Sequence, residues 1–149
     1  MTVRRIILWV TAGLGLYVGV WAAGFPQSFY DSFPGLGFIW ISVDGPYNEH
    51  LIRDVGSLYL ALSAASVAAT FSRAADAGRV VGVAWAVFGI PHFAYHAAHF
   101  GDMPPADVLG NVVSLGASML LGIALMLPGP RSVGARASEI RDTERERAA

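Results

Sequence analysis

Four apolar runs, each close to the roughly 20 residues a helix needs to cross the hydrocarbon of a bilayer, decide what this chain can fold into. They cover residues 6 to 24 (IILWVTAGLGLYVGVWAAG), 51 to 71, 79 to 100 and 107 to 127. Hydrocarbon offers backbone polar groups no partner, so segments of this kind satisfy their own hydrogen bonds as helices. The expectation is an all-α membrane protein, a four-helix transmembrane bundle over residues 1 to 128. The remaining stretch, 129 to 149, contains RSVGARASEIRDTERERAA, which alternates Arg with Asp and Glu and has too few apolar residues to bury. It is expected to be a disordered cytoplasmic tail.

Composition agrees with a membrane protein: 54% of the residues are hydrophobic and 14% charged, and the mean hydropathy is +0.51, too apolar for an ordinary soluble domain. A net charge of -1 gives no basic surface for nucleic acid. The chain has no cysteine, which excludes disulfides, thiolate ligands and cysteine nucleophiles. The first run also has the look of a signal peptide, since Arg4 and Arg5 precede it and Ala22 and Ala23 stand near its end. It exceeds the roughly 7 to 15 residues of a signal core, however, and a retained helix is expected.

Orientation follows from the arginines. Arg4 and Arg5 precede the first run, Arg73 and Arg79 flank the short link between the second and third, and the last five lie between Arg131 and Arg147. The positive-inside rule then puts both termini and the link at 72 to 78 in the cytoplasm of a multi-pass inner (plasma) membrane protein. The opposite loops hold Asp31, Asp44, Glu49, Asp102 and Asp107. Between the first two helices lies a long aromatic-rich outer loop, FPQSFYDSFPGLGFIWISVDGPYN, expected to form a short interfacial helix and a turn at Asp44-Gly45-Pro46, and to lid the outer face.

Polar residues in such a chain are where chemistry would sit. Within IPHFAYHAAHF, residues 90 to 100, His92, His96 and His99 fall within about 60° of one another on one helical stripe, shared with Trp85 and Phe88. Pro91 precedes them and has no N–H for the carbonyl of Val87. The second helix opens with NEHLIRDVG, which nests Glu49 with Arg53 and His50 with Asp54 at i,i+4 spacing. Antiparallel topology brings Asp54, His96 and Asn111 to similar depth, so all four histidines are expected to converge with Glu49 and Asp54 near the outer surface. Asp54 and His96 are expected to face each other within hydrogen-bond reach.

Three readings of that cluster remain open. As polar glue it would hold the bundle together, each interhelical bond contributing about 0.6 to 2 kcal/mol. As a divalent-metal or redox-cofactor site it would use His50, Asp54, His92, His96 and His99, with Glu49, Arg53 and Asn111 in support; the zinc-protease pattern is absent, because Phe93 follows His92. As a proton relay, or a quinone or lipid-headgroup pocket, it would exploit imidazole titration near neutral pH. Glycines in GLGLYVG of the first helix are expected to make a close-packing surface, as are Ala61, Ala64, Ala65 and Ala68 on the second, and Asn111, Ser114, Ser118 and Gly122 on the fourth.

GPYNEHLIRDVGSLYLALS and PHFAYHAAHF, with the four spans over residues 4 to 127, resemble small actinobacterial membrane proteins loosely similar to the DoxX-like and DUF4345 four-helix families. The resemblance implies the fold and topology, and hints at service to a membrane oxidoreductase system; no catalytic motif carries over. The expectation is therefore a lipid-embedded protein with an outward-facing His/carboxylate cluster, with the sequence leaning against an enzyme and leaving that question open. The alternative is an accessory or structural subunit whose cluster and loop dock a membrane-protein partner.

Overall fold

A computed structural model of the chain describes residues 2–74 and 76–128, so the expected tail, 129 to 149, lies outside the described residues. In chain order the elements are α1 (Val3–Gly24), α2 (Pro26–Ser32), a two-residue pair of antiparallel strands β1 (Pro34–Gly35) and β2 (Phe38–Ile39), α3 (Glu49–Phe71), α4 (Ala77–Ala98) and α5 (Pro105–Met126). The helices α1, α3, α4 and α5 are long and apolar enough to cross a membrane. Their starts follow the local chemistry. Asn48 caps α3 by accepting from the Leu51 amide at 3.1 Å, and α2 and α5 open on Pro26 and Pro105, where a missing N–H costs no helical bond. The expected helix ends are displaced by about two residues where turns and caps reach past the apolar run.

The bundle is two tight pairs, α1 with α3 and α4 with α5, joined by a much looser seam between α3 and α4. Small residues make the tight pairs. A Cβ at Gly56 would lie 2.4 Å from the Ala23 amide nitrogen, and one at Gly15 would lie 2.8 Å from the Tyr59 carbonyl oxygen. Across the other pair, a Cβ at Gly122 would meet Trp85 Cβ at 2.8 Å. Backbones this close gain dispersion contacts that lipid tails cannot replace. The outward faces keep large apolar side chains exposed, Val80, Val87, Leu109 and Leu120 among them, as helices in a hydrocarbon solvent should.

The expected packing faces of α1 and α5 are correct: Gly15 and Gly19 are buried on α1, and Asn111, Ser118 and Gly122 on α5. That of α3 is not. Ala61, Ala64 and Ala68 are exposed, and the buried stripe runs Ile52, Gly56, Tyr59, Ser63, Ser66, Thr70. Hydroxyls explain the preference, because each one here finds an acceptor inside the bundle. Ser63 Oγ donates to the Ala12 carbonyl at 2.7 Å. Ser66 Oγ lies 2.8 Å from the Leu62 carbonyl, 3.2 Å from Thr11 Oγ1 and 3.0 Å from the Trp85 indole nitrogen, which donates to it. One fully buried hydroxyl thus joins α1, α3 and α4.

At the end of the bundle where α1 begins, Arg4 donates to the Leu125 and Leu127 carbonyls at 3.3 and 2.6 Å, and Arg79 donates to the Met126 carbonyl at 3.3 Å. Two cations from two other helices thereby satisfy the last carbonyls of α5 and complement its dipole. The opposite end is closed by the connection between α1 and α3. Phe29 of α2 and Trp40 after β2 turn inward and are buried, and the Trp40 indole donates to Asp107 of α5 at 2.8 Å. The short helix expected in this connection is α2, and the connection acts as a lid on this end of the bundle.

Candidate functional site

Beneath that lid lies a cavity of about 200 Å³. Its walls are aromatic and aliphatic: Tyr17 and Val18 from α1, Phe29, Phe33, Trp40 and Ile41 from the lid, Val55 and Tyr59 from α3, and Leu115 from α5. A few polar side chains converge on it, namely His92 and His96 of α4 with Asn111, Ser114 and Ser118 of α5. Periodicity explains which side chains arrive there: 92 and 96, and 111, 114 and 118, are spaced to share one face of their helices. Ser114 and Ser118 donate to the carbonyls of Asn111 and Leu115 within their own helix. Asn111, 2% exposed, directs its amide toward Met103 sulfur at 4.0 Å.

The two histidines differ. His96 Nδ1 lies 3.6 Å from Asp44 Oδ2, an electrostatic contact longer than a hydrogen bond. His92 stacks on Phe88 with centroids 5.0 Å apart and meets the edge of His96 at 4.9 Å. Among the described residues, neither ring nitrogen of His92 has a hydrogen-bond or ion-pair partner. Among the described residues no fully enclosed side-chain nitrogen or oxygen lacks one, so neither nitrogen is sealed off, and the ring lines the cavity.

The expected convergence of four histidines does not occur. His50 and Asp54 pair with each other at 3.3 Å and are 88% and 61% exposed; Glu49 accepts from Arg53 at 2.9 Å beside them, and Arg53 also donates to the Ala23 carbonyl. Asp54 stands two residues, about 200° of helix, from buried Ile52. It therefore points away from the cavity, and the carboxylate that reaches His96 is Asp44. These groups occupy the first two turns of α3 and are exposed, so nothing forces them inward.

His99 also leaves the stripe. The helix ends at Ala98, His99 adopts φ -130° and ψ 35°, and Gly101 follows in the left-handed region at φ 50°. Its ring stacks on Tyr95 at 4.2 Å, with Nδ1 2.7 Å from the Tyr95 carbonyl oxygen. Among the described residues, no three His, Asp or Glu side chains assemble as a metal site. Pro91 sits within an unbroken α4.

Sequence reasoning missed the Asp44–His96 contact and the part of Tyr59, whose ring meets that of Phe88, expected on the histidine stripe, at 5.1 Å. The turn found here runs from Ile41 to Asp44, whose amide donates to the Ile41 carbonyl at 3.1 Å, just before the expected turn at Asp44-Gly45-Pro46. Comparison of the chain with protein-family models, curated proteins and solved structures gives no match.

Proposed function

We propose that this chain is a multi-pass inner-membrane protein that binds one small lipophilic molecule beneath its lid, with His92 as the polar contact for the molecule's head. The observation that carries the reading is the His92 ring, placed in a membrane-length helix, facing a cavity, with no hydrogen-bonding partner among the described residues. A polar group left unsatisfied in hydrocarbon costs several kcal/mol, and a bound ligand is the means of satisfying it. Apolar walls with a few convergent polar groups are the usual composition of a small-molecule pocket. A dry cavity of roughly 150 Å³ holds a benzene ring, so about 200 Å³ suits a single substituted ring.

The orientation belongs to the same proposal. Arg4 and Arg79 meet the end of α5 at one end of the bundle, and the positive-inside rule places that end, with both termini, in the cytoplasm and the lid outside. Kinship with the DoxX-like and DUF4345 proteins rests on sequence likeness alone. A divalent metal is less well supported, because its five expected ligands point in three directions. A second reading, an accessory subunit docking a membrane-protein partner, draws on the exposed quartet Glu49, His50, Arg53 and Asp54.

The test is extraction of small molecules from the full-length protein purified in nanodiscs, followed by mass spectrometry, for wild type and His92→Leu. Wild type should carry a single lipophilic compound near one per chain, and His92→Leu at least tenfold less. Equal content in both, or none in either, refutes the proposal.

A further inference from the structure

The cavity has a neighbour on the outside of the bundle. Between α3 and α4 runs a groove of about 560 Å³ lined by Leu58, Leu62, Ala84, Val87, Phe88, Pro91 and His92. Leu58 and Val87 are 43% and 68% exposed, so the groove faces where lipid would lie. His92 lines this groove and the cavity alike. The partition between the two spaces is made of three rings, Tyr59 lining the cavity, Phe88 the groove and His92 both, with Phe88 stacked on His92 and met edge-on by Tyr59. It stands on the loose seam of the bundle. Pro91, on the groove wall, withholds an N–H from the Val87 carbonyl, which leaves a second polar atom there.

We infer that the ligand reaches the cavity sideways from the bilayer through the α3–α4 seam, and that it is an amphiphile with a single flat ring bearing a hydrogen-bonding oxygen and one long apolar tail, the ring against His92 and the tail left in the groove. This rests on the cavity being a binding site. Two features select the class. Cavity volume limits the head to about one ring. The groove continues the site outward with apolar walls only, and a tail lying in it buries apolar surface on both helices without passing the lid, which Trp40 ties to Asp107. Movement of Phe88 opens the partition without disturbing either tight helix pair.

The probes are 2-bromo-4-octylphenol and tailless 2-bromophenol, whose bromine quenches indole fluorescence, applied to full-length protein in nanodiscs. A Trp9→Phe, Trp21→Phe background removes the exposed and the half-buried indole and leaves Trp40, on the cavity wall, as the reporter beside fully buried Trp85. Both probes should quench saturably, the octyl compound with at least tenfold higher affinity, and His92→Leu should weaken both. Ala84→Phe or Leu58→Phe, each at an exposed groove position, should slow or weaken octylphenol binding at least tenfold and leave bromophenol unchanged, whereas Val113→Phe, exposed on α5, should change neither. If both probes bind equally, or the groove variants have no effect while His92→Leu abolishes quenching, the lateral route fails and the binding site stands. If no probe quenches saturably, both fail.

Discussion

Replacing Ser66 by alanine removes a hydroxyl on which three helices depend, and its cost can be worked from the geometry. Thr11 retains its own bond to the Leu8 carbonyl at 3.0 Å, so it is not orphaned. The Trp85 indole N–H is: its bond to Ser66 is 3.0 Å, and Trp85 is only 1% exposed, so solvent does not replace it. An unsatisfied buried donor costs about 1 to 3 kcal/mol, whereas interhelical bonds in bilayers average about 0.6 and reach about 1.7 kcal/mol. The expected loss for Ser66→Ala is therefore about 1 to 2 kcal/mol. In a Trp85→Phe background no donor is left behind, and the same change should cost about 0.5 kcal/mol or less, a coupling of about 1 kcal/mol. Reversible unfolding in mixed detergent micelles, followed by circular dichroism, measures all four proteins of the cycle. Equal cost of Ser66→Ala in both backgrounds would refute the claim that the indole bond holds α3 to α4.

Gly56→Ala should destabilise the bundle by about 1 to 3 kcal/mol, since its Cβ would meet backbone of α1, while Gly13→Ala, with open space around it, should be neutral or gain up to about 1 kcal/mol of helix propensity; thermal unfolding of the two variants checks the contrast. Asp54→Leu and His96→Leu should combine additively within about 0.5 kcal/mol, because the two side chains lie on different faces of the bundle; a larger coupling in the same unfolding assay would restore the expected pairing. Trp40→Phe, which loses the bond to Asp107, should raise the rate of proteolysis within residues 33 to 48 severalfold. A reporter fused after residue 128 should be active only in a cytoplasmic form, and one inserted near Asp102 only in an exported form.

The spans were legible because hydrocarbon demands long apolar helices, and nothing else in the chain competes with that signal. Rotation about each helix was harder to read. In water, apolar periodicity marks the buried face, but here Val80 and Val87 face outward and are as apolar as Val81 and Trp85 inside, so the period carries no direction. On α5 the polar residue Asn111 broke the tie in favour of its own stripe, correctly. On α3 two stripes competed, alanine against Gly, Ser and Thr, and the winner was the one whose hydroxyls find acceptors across the interface. The cluster was half legible for a related reason. His92 and His96 lie on a face that must turn inward, whereas His50, Asp54 and His99 sit at helix ends, where the chain leaves hydrocarbon and the argument from desolvation lapses.

The cations at the end of α5 bear on the order in which the chain assembles. Arg4 is made early, but the carbonyls it bonds belong to residues 121 and 123 positions later. At roughly 5 to 20 residues per second of synthesis, that is a delay on the order of 6 to 24 s. Through that interval α1 can pair with α3, since both are complete well before α4 and α5 emerge, yet the guanidinium cannot take its final acceptors until the last helix is laid in the membrane. The contact thus forms only once the last helix is in place: a product truncated before Leu125 would lack the clasp that joins the beginning of the bundle to its end.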